Sequence, residues 1–181
     1  MRKINLLDWS AIKVVISFIG IIWIVFILDW FLPIERLGIH PRQLKGLLGI
    51  LTSPLIHSNL KHIIANSISL LVFGILCGIL EGKRLLPVAV AIIILGGLLT
   101  WIFARSANHI GASGVIFGLF GYLLFVGYFN RQWKFMLASV LCLIGFGSMI
   151  FGILPLSSCV SCESHLFGFV SGASMARQRK G

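Results

Sequence analysis

The fold of this chain is decided by residues 111–129, which read GASGVIFGLFGYLLFVGYF. The run from Val115 to Phe129 carries no charged side chain, and it approaches the roughly 20 residues that a helix needs to cross a bilayer. Because its apolar residues are continuous rather than alternating, the run predicts a membrane-spanning helix and not a strand. The polar side chain of Ser113 stands at the entrance to this helix, where a bilayer penalises polar groups.

The composition of the whole chain is that of an integral membrane protein. Of its 181 residues, 58% are hydrophobic and 11% are charged, and the mean hydropathy of +1.03 lies outside the range of soluble domains. We therefore expect a single membrane domain over residues 1–181, with the lipid bilayer as a partner. The net charge of +10 comes from scattered basic residues without interleaved aromatics, so no nucleic-acid partner is expected.

Six apolar segments divide the chain and predict an all-α membrane protein with six transmembrane helices. They cover residues 14–32, 60–80, 85–104, 113–129, 134–154 and 164–176. The first segment is too long for the apolar region of a signal peptide and lacks a small-residue cleavage pattern, so we interpret it as a retained span. Residues 33–53 are apolar but too interrupted to cross, and we expect them to lie at the level of the lipid headgroups.

The distribution of Lys and Arg predicts that both termini are cytoplasmic. In that orientation ten basic residues lie inside and five lie outside. The inner group is Arg2, Lys3, Lys13, Lys83, Arg84, Arg131, Lys134, Arg177, Arg179 and Lys180, and the outer group is Arg36, Arg42, Lys45, Lys61 and Arg105. It follows that the second, fourth and sixth segments all begin at the extracytoplasmic face of the cell membrane.

Polar side chains from three distant stretches are predicted to meet at that face. Ser113 opens the fourth segment, His165 opens the sixth, and His57, His62 and Asn66 stand at the start of the second. His62 and Asn66 are four residues apart and share a helix face. A serine and a histidine so placed have the chemistry of a nucleophile and its general base. His62, Asn66 and the Ser113 backbone N–H can donate to an oxyanion, which together predicts peptide-bond hydrolysis in the membrane by a Ser–His dyad without a cofactor.

Two further residues stay open as participants in this chemistry. Glu163 precedes His165 by two positions and is a candidate orienting group. His109 lies in the loop before Ser113 and is an alternative base. The Gly-x-Ser-Gly sequence is not the Gly-x-Ser-x-Gly elbow of the α/β-hydrolases, because Val115 occupies the last position.

Glycines at four-residue spacing favour close packing of the fourth and sixth segments. Gly114 and Gly118 form one such pair, and Gly168 and Gly172 form the other. Close approach of these faces would bring Ser113 within reach of His165. Since the chain has 20 glycines, chance pairs remain the alternative reading.

Two cysteines, Cys159 and Cys162, fall in the outer loop just before His165. Outside the cytoplasm they can form a disulfide that stiffens this loop, and free thiols are the alternative. Zinc needs more ligands than the loop offers, so no metal site is expected. Cys77 and Cys142 lie within apolar segments, where we interpret them as small buried hydrophobic residues.

Four short motifs, in this order within six apolar segments, resemble those of the rhomboid intramembrane serine proteases. The motifs are TSPLIH over residues 52–57, HIIAN over 62–66, GASG over 111–114 and HLFG over 165–168. The resemblance is to the bacterial, minimal six-helix form and implies a rhomboid-like bundle with a water-filled cavity open to the outside. It also implies a Ser113–His165 dyad, an oxyanion hole containing His62 and Asn66, and a structural or cavity-lining role for His57.

The chain departs from that family pattern at three places. Leu48 and Gly49 stand where many rhomboids have a Trp-Arg pair, so the bracing of the first loop must differ. Phe117 replaces a tyrosine that often stacks on the catalytic histidine, and Cys162 replaces a tryptophan. None of these changes removes a catalytic group.

The function that the resemblance implies is that of a serine endopeptidase, with transmembrane proteins as its substrates. It would hydrolyse peptide bonds in or near their membrane segments. The alternative is a catalytically inactive rhomboid-like protein that binds transmembrane clients. A transporter is disfavoured, because the six segments show no inverted repeat.

Overall fold

The computed structural model describes residues 9–154 and 161–179. Within these residues the chain forms six long α-helices and one single-turn helix, α2. Their bounds are α1 Trp9–Leu28, α2 Gly49–Thr52, α3 Leu60–Glu81, α4 Leu85–Phe103, α5 Ser113–Asn130, α6 Trp133–Phe146 and α7 Cys162–Gln178. The described ranges contain no β-strand, only an isolated antiparallel bridge between Ile39 and His109. The all-α prediction is therefore confirmed.

Four described stretches are long and apolar enough to cross a membrane. They are Trp9–Leu28, Leu60–Phe103, Ser113–Asn130 and Trp133–Ile153. The second stretch holds 44 residues and comprises both α3 and α4, which a 3₁₀ turn joins. α7 has 17 residues and is shorter than these stretches. Six separate crossings, and the orientation of the termini, remain predictions.

The first predicted segment, residues 14–32, overlaps α1 but has different ends. α1 begins five residues earlier, at Trp9, and ends at Leu28. The helix cannot continue through Pro33, because proline lacks the N–H that would bond to the Asp29 carbonyl and disfavours a helical conformation in Leu32. In the turn that follows α1, the Asp29 carboxylate accepts a hydrogen bond from the Glu35 backbone N–H at 2.9 Å.

The predicted fifth and sixth segments also differ from the helices that the structure describes. The fifth segment, residues 134–154, is α-helical only to Phe146 and continues as a 3₁₀ helix over Gly147–Ile153. The sixth, residues 164–176, is shorter than α7, which extends two residues further at each end.

α5 lies at the centre of the bundle, and most of its residues are buried. α7 packs along one side of α5, while α3, α4 and α6 also contact it and α1 packs on α3. The outer faces of the bundle carry exposed apolar side chains such as Ile24, Ile68 and Ile144. An apolar outer surface is what a protein surrounded by the hydrocarbon of a bilayer requires.

Short helical turns connect α1 to α3 and pack against the chain that follows α4. Arg42 ties the two together, because its guanidinium donates to the carbonyls of Ile102 at 3.1 Å and Ala104 at 2.7 Å. The indole N–H of Trp101 donates in turn to the Gln43 carbonyl at 2.9 Å. Arg42 and Trp101 thus brace the first loop without a Trp-Arg pair at positions 48 and 49.

Candidate active site

Ser113 and His165 meet where α5 and α7 begin. Ser113 is the first residue of α5, and His165 lies in the first turn of α7. The His165 Nε2 atom is 2.9 Å from Ser113 Oγ, and its Nδ1 atom is 2.9 Å from the Gly152 carbonyl oxygen. Since a carbonyl can only accept, we assign the proton to Nδ1. Nε2 is then left to accept from the serine hydroxyl.

The imidazole of His165 is held in place by an aromatic ring as well as by this carbonyl. The Phe117 ring stacks on it with the centroids 4.2 Å apart and the planes inclined by 10°. Both side chains are buried. Phe117 lies one turn after Ser113 on α5, so a single helix carries Ser113 and the ring that stacks on His165.

His62 and Asn66 project from the first turns of α3 toward the chain just before Ser113. The Asn59 side chain caps this helix and accepts from the His62 backbone N–H at 2.9 Å. Gly111 has a φ of +111°, and a Cβ placed on it would lie 2.8 Å from His62 Nε2 and 3.6 Å from Asn66 Nδ2. The absence of a side chain at Gly111 therefore lets both polar groups approach the backbone just before Ser113.

Asn66 is buried, and its Nδ2 atom has no hydrogen-bond partner in the part of the chain that the structure describes. A buried donor left unpaired costs about 1–3 kcal/mol, and such groups in native structures call for an explanation. Asn66 shares one cavity of about 570 Å³ with Ser113, His165 and His62. The unpaired amide thus lines the cavity that holds the dyad.

His57 contacts the backbone of the residue just before Ser113. It is 2% exposed, and its Nδ1–H donates to the Leu55 carbonyl at 3.4 Å while its Nε2 accepts from the Ala112 backbone N–H at 3.4 Å. Burial, and secondarily the proximity of His62, lowers the pKa of His57 to about 4, although the Leu55 carbonyl opposes the shift. A neutral ring is what the contact to Ala112 requires, because a protonated Nε2 cannot accept.

The paired glycines lie where α5 and α7 touch. A Cβ on Gly168 would overlap the Gly114 carbonyl, and one on Gly172 would overlap the Gly118 carbonyl. The two backbones are therefore closer than any larger residue allows. This contact sets the separation of the helix ends that carry Ser113 and His165.

The structure places the remaining candidates away from the dyad hydrogen bonds. Glu163 pairs with Arg105 at 3.5 Å and not with His165. His109 bonds to Ser161 rather than to Ser113. The predicted disulfide involves Cys159, which lies outside the described residues, so the pairing with Cys162 stays a prediction. No group of three or more metal-ligating side chains occurs among the residues described.

Sequence reasoning missed the Gly152 carbonyl that orients His165. A backbone acceptor leaves no mark on the sequence, and Gly152 lies in the 3₁₀ helix that continues α6. It also missed a buried cluster at the other end of the bundle. There the Tyr122 hydroxyl and the Arg179 guanidinium both donate to Glu81 Oε1 at 2.6 Å. The sequence signal for this cluster was Glu81, a charged residue at the end of an apolar run.

Comparison with known proteins supplies relatives for this chain. A family model described as Rhomboid domain matches residues 45–178. An uncharacterized protein of Mycobacterium tuberculosis (strain ATCC 25618 / H37Rv) is 36% identical over 174 residues, which cover 90% of this chain and 72% of that protein. An uncharacterized protein of Mycobacterium leprae (strain TN) is 32% identical over 174 residues, with 90% and 68% covered. The protein named "Putative rhomboid protease YdcA" of Bacillus subtilis (strain 168) is 32% identical over 127 residues, with 68% and 62% covered.

Proposed function

The chain belongs to the rhomboid family, and on that premise we propose that it is a serine endopeptidase that cleaves other membrane proteins in or near their transmembrane segments. The observation that carries the proposal is the 2.9 Å hydrogen bond between Ser113 Oγ and His165 Nε2. The bond from Nδ1 to the Gly152 carbonyl fixes the ring so that Nε2 is the basic nitrogen. In this dyad a backbone carbonyl does the orienting that an acid does in a triad.

The proposed reaction begins with attack of Ser113 Oγ on the scissile carbonyl carbon, while His165 Nε2 takes the hydroxyl proton. The tetrahedral intermediate collapses as the imidazolium returns this proton to the leaving amine. The carboxyl-terminal fragment leaves as the free amine, and the new carboxyl group of the amino-terminal fragment remains as an ester on Ser113 Oγ. His165 Nε2 then takes a proton from water as the water oxygen attacks the ester carbon. It returns that proton to Ser113 Oγ as the carboxylic acid is released.

The negative charge of the tetrahedral intermediate needs donors that are in place before the reaction. The unpaired amide of Asn66 is one, and the Ser113 backbone N–H at the start of α5 is another. His62 is the third, because Ser58 Oγ lies 3.4 Å from its Nδ1 atom and can donate to it, leaving a proton on Nε2. Loss of one such donor typically raises the barrier by about 3–4 kcal/mol.

We further propose that the long helices cross the cell membrane six times with both termini cytoplasmic. The excess of Lys and Arg on the connections of one face supports this orientation. The cavity of the dyad would then open at the extracytoplasmic side. Water for the second half of the reaction would enter by the same route as the substrate.

A fluorophosphonate probe tests the proposal on membranes that contain the native chain. Labelling is expected for the native protein and for Ser106→Ala, which removes an exposed serine outside the dyad. It should be absent in Ser113→Ala and His165→Ala. Cleavage of a reconstituted single-span substrate should follow the same pattern. A native chain that neither reacts nor cleaves would support the inactive client-binding alternative.

A further inference from the structure

His109 is a buried histidine for which the proposed mechanism has no use. It is 3% exposed and lies in the loop between α4 and α5, four residues before Ser113. Two backbone hydrogen bonds of 2.9 and 3.0 Å pair it with Ile39 in the first loop. These two bonds fix the backbone from which the His109 side chain extends.

The hydrogen bonds of the His109 ring define which nitrogen carries the proton. Nε2 lies 3.0 Å from the Arg105 carbonyl oxygen, which can only accept, so Nε2 is assigned the proton. Nδ1 is then an acceptor, and its partner is the Ser161 hydroxyl. Burial lowers the pKa of His109, against the opposing effect of the Arg105 carbonyl, in keeping with this neutral form.

Ser161 bonds to His109 instead of capping its own helix. It stands at the N-cap position of α7, but its side chain does not cap the helix, although serine at this position normally bonds to a backbone N–H of the first turn. The Ser161 hydroxyl has one proton, which it donates to His109 Nδ1, so the Ser164 hydroxyl 2.7 Å away is left to donate to Ser161 Oγ. The Ser161 carbonyl meanwhile accepts from the His165 backbone N–H at 3.2 Å.

We propose that His109 is a positioning residue that acts through Ser161. By anchoring the first turn of α7 to the α4–α5 loop, it holds His165 at hydrogen-bonding distance from Ser113. The Arg105–Glu163 ion pair, at 3.5 Å, joins the same two segments. The effect on catalysis rests on the proposed function, whereas the hydrogen bond itself does not.

Two nearly isosteric substitutions separate this role from general stability. Asparagine at position 109 places its Oδ1 atom where Nδ1 stands and keeps an acceptor for Ser161. Glutamine places its amide near the Nε2 position, keeps the contact to the Arg105 carbonyl, and loses the acceptor. We expect kcat for His109→Gln to fall about tenfold, since small misplacements of a catalytic group have large effects, with KM little changed. His109→Asn should stay within about threefold of the native kcat.

The partner residue supplies the second half of the test. Ser161→Ala should lower kcat as much as His109→Gln, and the double variant should be no worse than either, because coupled residues are not additive. If His109→Gln does not fold, Ser161→Ala replaces it as the primary variant. A native kcat in these variants, equal losses in His109→Asn and His109→Gln, or additive losses would each overturn the proposal.

A spectroscopic readout keeps this result distinct from failure of the proposed function. Nitrogen-15 NMR of the histidine rings in detergent should show His109 with a proton on Nε2 and a hydrogen-bonded, unprotonated Nδ1. The Nδ1 signal should shift in Ser161→Ala. If the native chain cleaves nothing but this signature is found, the proposed function fails and the anchor stands. If the signature is absent, the anchor fails whatever the activity.

Discussion

Gly111 sets how closely the proposed oxyanion donors approach the nucleophile. Its φ of +111° is a conformation that L side chains rarely adopt, and a Cβ there would lie 2.7 Å from His62 Cε1. Gly111→Ala is therefore expected to displace the His62 ring and strain the turn before Ser113. The rate of fluorophosphonate labelling should fall about a hundredfold.

The matched control for this change is Gly145→Ala, since a Cβ on Gly145 would meet nothing within 4 Å. Gly145 lies within α6, where alanine favours the helix. Its labelling rate should equal that of the native chain. Equal rates for Gly111→Ala and the native protein would refute the proposed placement of the oxyanion donors.

His57 makes the stability of the fold depend on pH. Its folded-state pKa of about 4, lowered mainly by burial, lies below the ordinary value of 6.5. As pH falls through 6.5, the unfolded chain gains a proton that the folded chain does not bind. Stability present above pH 6.5 is therefore lost progressively toward pH 4, by at most about 3 kcal/mol. Thermal unfolding in detergent at pH 7.5 and pH 5 measures the loss.

His57→Gln is the variant that isolates this effect. Glutamine does not titrate, and its amide oxygen can accept from the Ala112 N–H. The variant should unfold with a weaker dependence on pH than the native chain, with the remaining slope in the same direction because burial also lowers the pKa of His109. An unchanged slope would show that His57 is not the group that titrates.

The side chains of the candidate site could be predicted from the sequence, and the groups that orient them could not. Ser113, His165, His62 and Asn66 stand out because the predicted topology places these polar residues of three distant segments at the same face of the membrane. The Gly152 carbonyl leaves no such signal, because every residue has one. His109 was visible as a histidine, but only the tertiary structure shows that its partner is Ser161.

At the scale of the elements, the contact between α5 and α7 determines whether the dyad forms. Gly168→Ala would push a methyl group into the Gly114 carbonyl, and overpacking of this kind typically costs about 1–3 kcal/mol. We expect the variant to unfold at a lower temperature and to label slowly, because separation of the helices moves His165 from Ser113. Gly20→Ala on α1, where a Cβ would meet nothing within 4 Å, should lower neither the unfolding temperature nor the labelling rate, because alanine favours the helix.

The helices themselves were predictable, and their ends were less so. Continuous apolar runs identify α3, α4 and α5 to within one residue at each bound. For α1 the run of hydrophobicity continues through Leu28 into Trp30, Phe31 and Leu32, so composition alone carries the segment past the end of the helix. Pro33, and not hydropathy, prevents the helix from continuing to the end of that apolar run.

Across the whole molecule, polar interactions are concentrated at the two ends of the bundle. The proposed dyad and the proposed oxyanion donors lie at the end where α3, α5 and α7 begin. The Glu81 carboxylate gathers Tyr122 from α5 and Arg179, just after α7, at the end where α3 stops. The Arg179 guanidinium also lies 4.1 Å from the Phe135 ring centroid on α6. Polar contacts thus join the helices at both ends of the bundle, and the apolar segments between the ends are held together by close packing.

The orientation of the bundle decides which side of the membrane the cavity faces. Ala107 lines the cavity that Ser113 and His165 share, near the start of α5. Gln132 follows the other end of this helix. The 18 residues of α5 span about 27 Å, so the two positions lie far apart along the bundle. In the proposed orientation, ten of the fifteen basic residues belong to the termini and to the connections on the same side as Gln132. The positive-inside rule therefore predicts that this end is cytoplasmic. In intact cells, a membrane-impermeant maleimide should label Ala107→Cys and spare Gln132→Cys. After permeabilisation it should label both, with the native chain as background, and the opposite pattern would place the dyad in the cytoplasm.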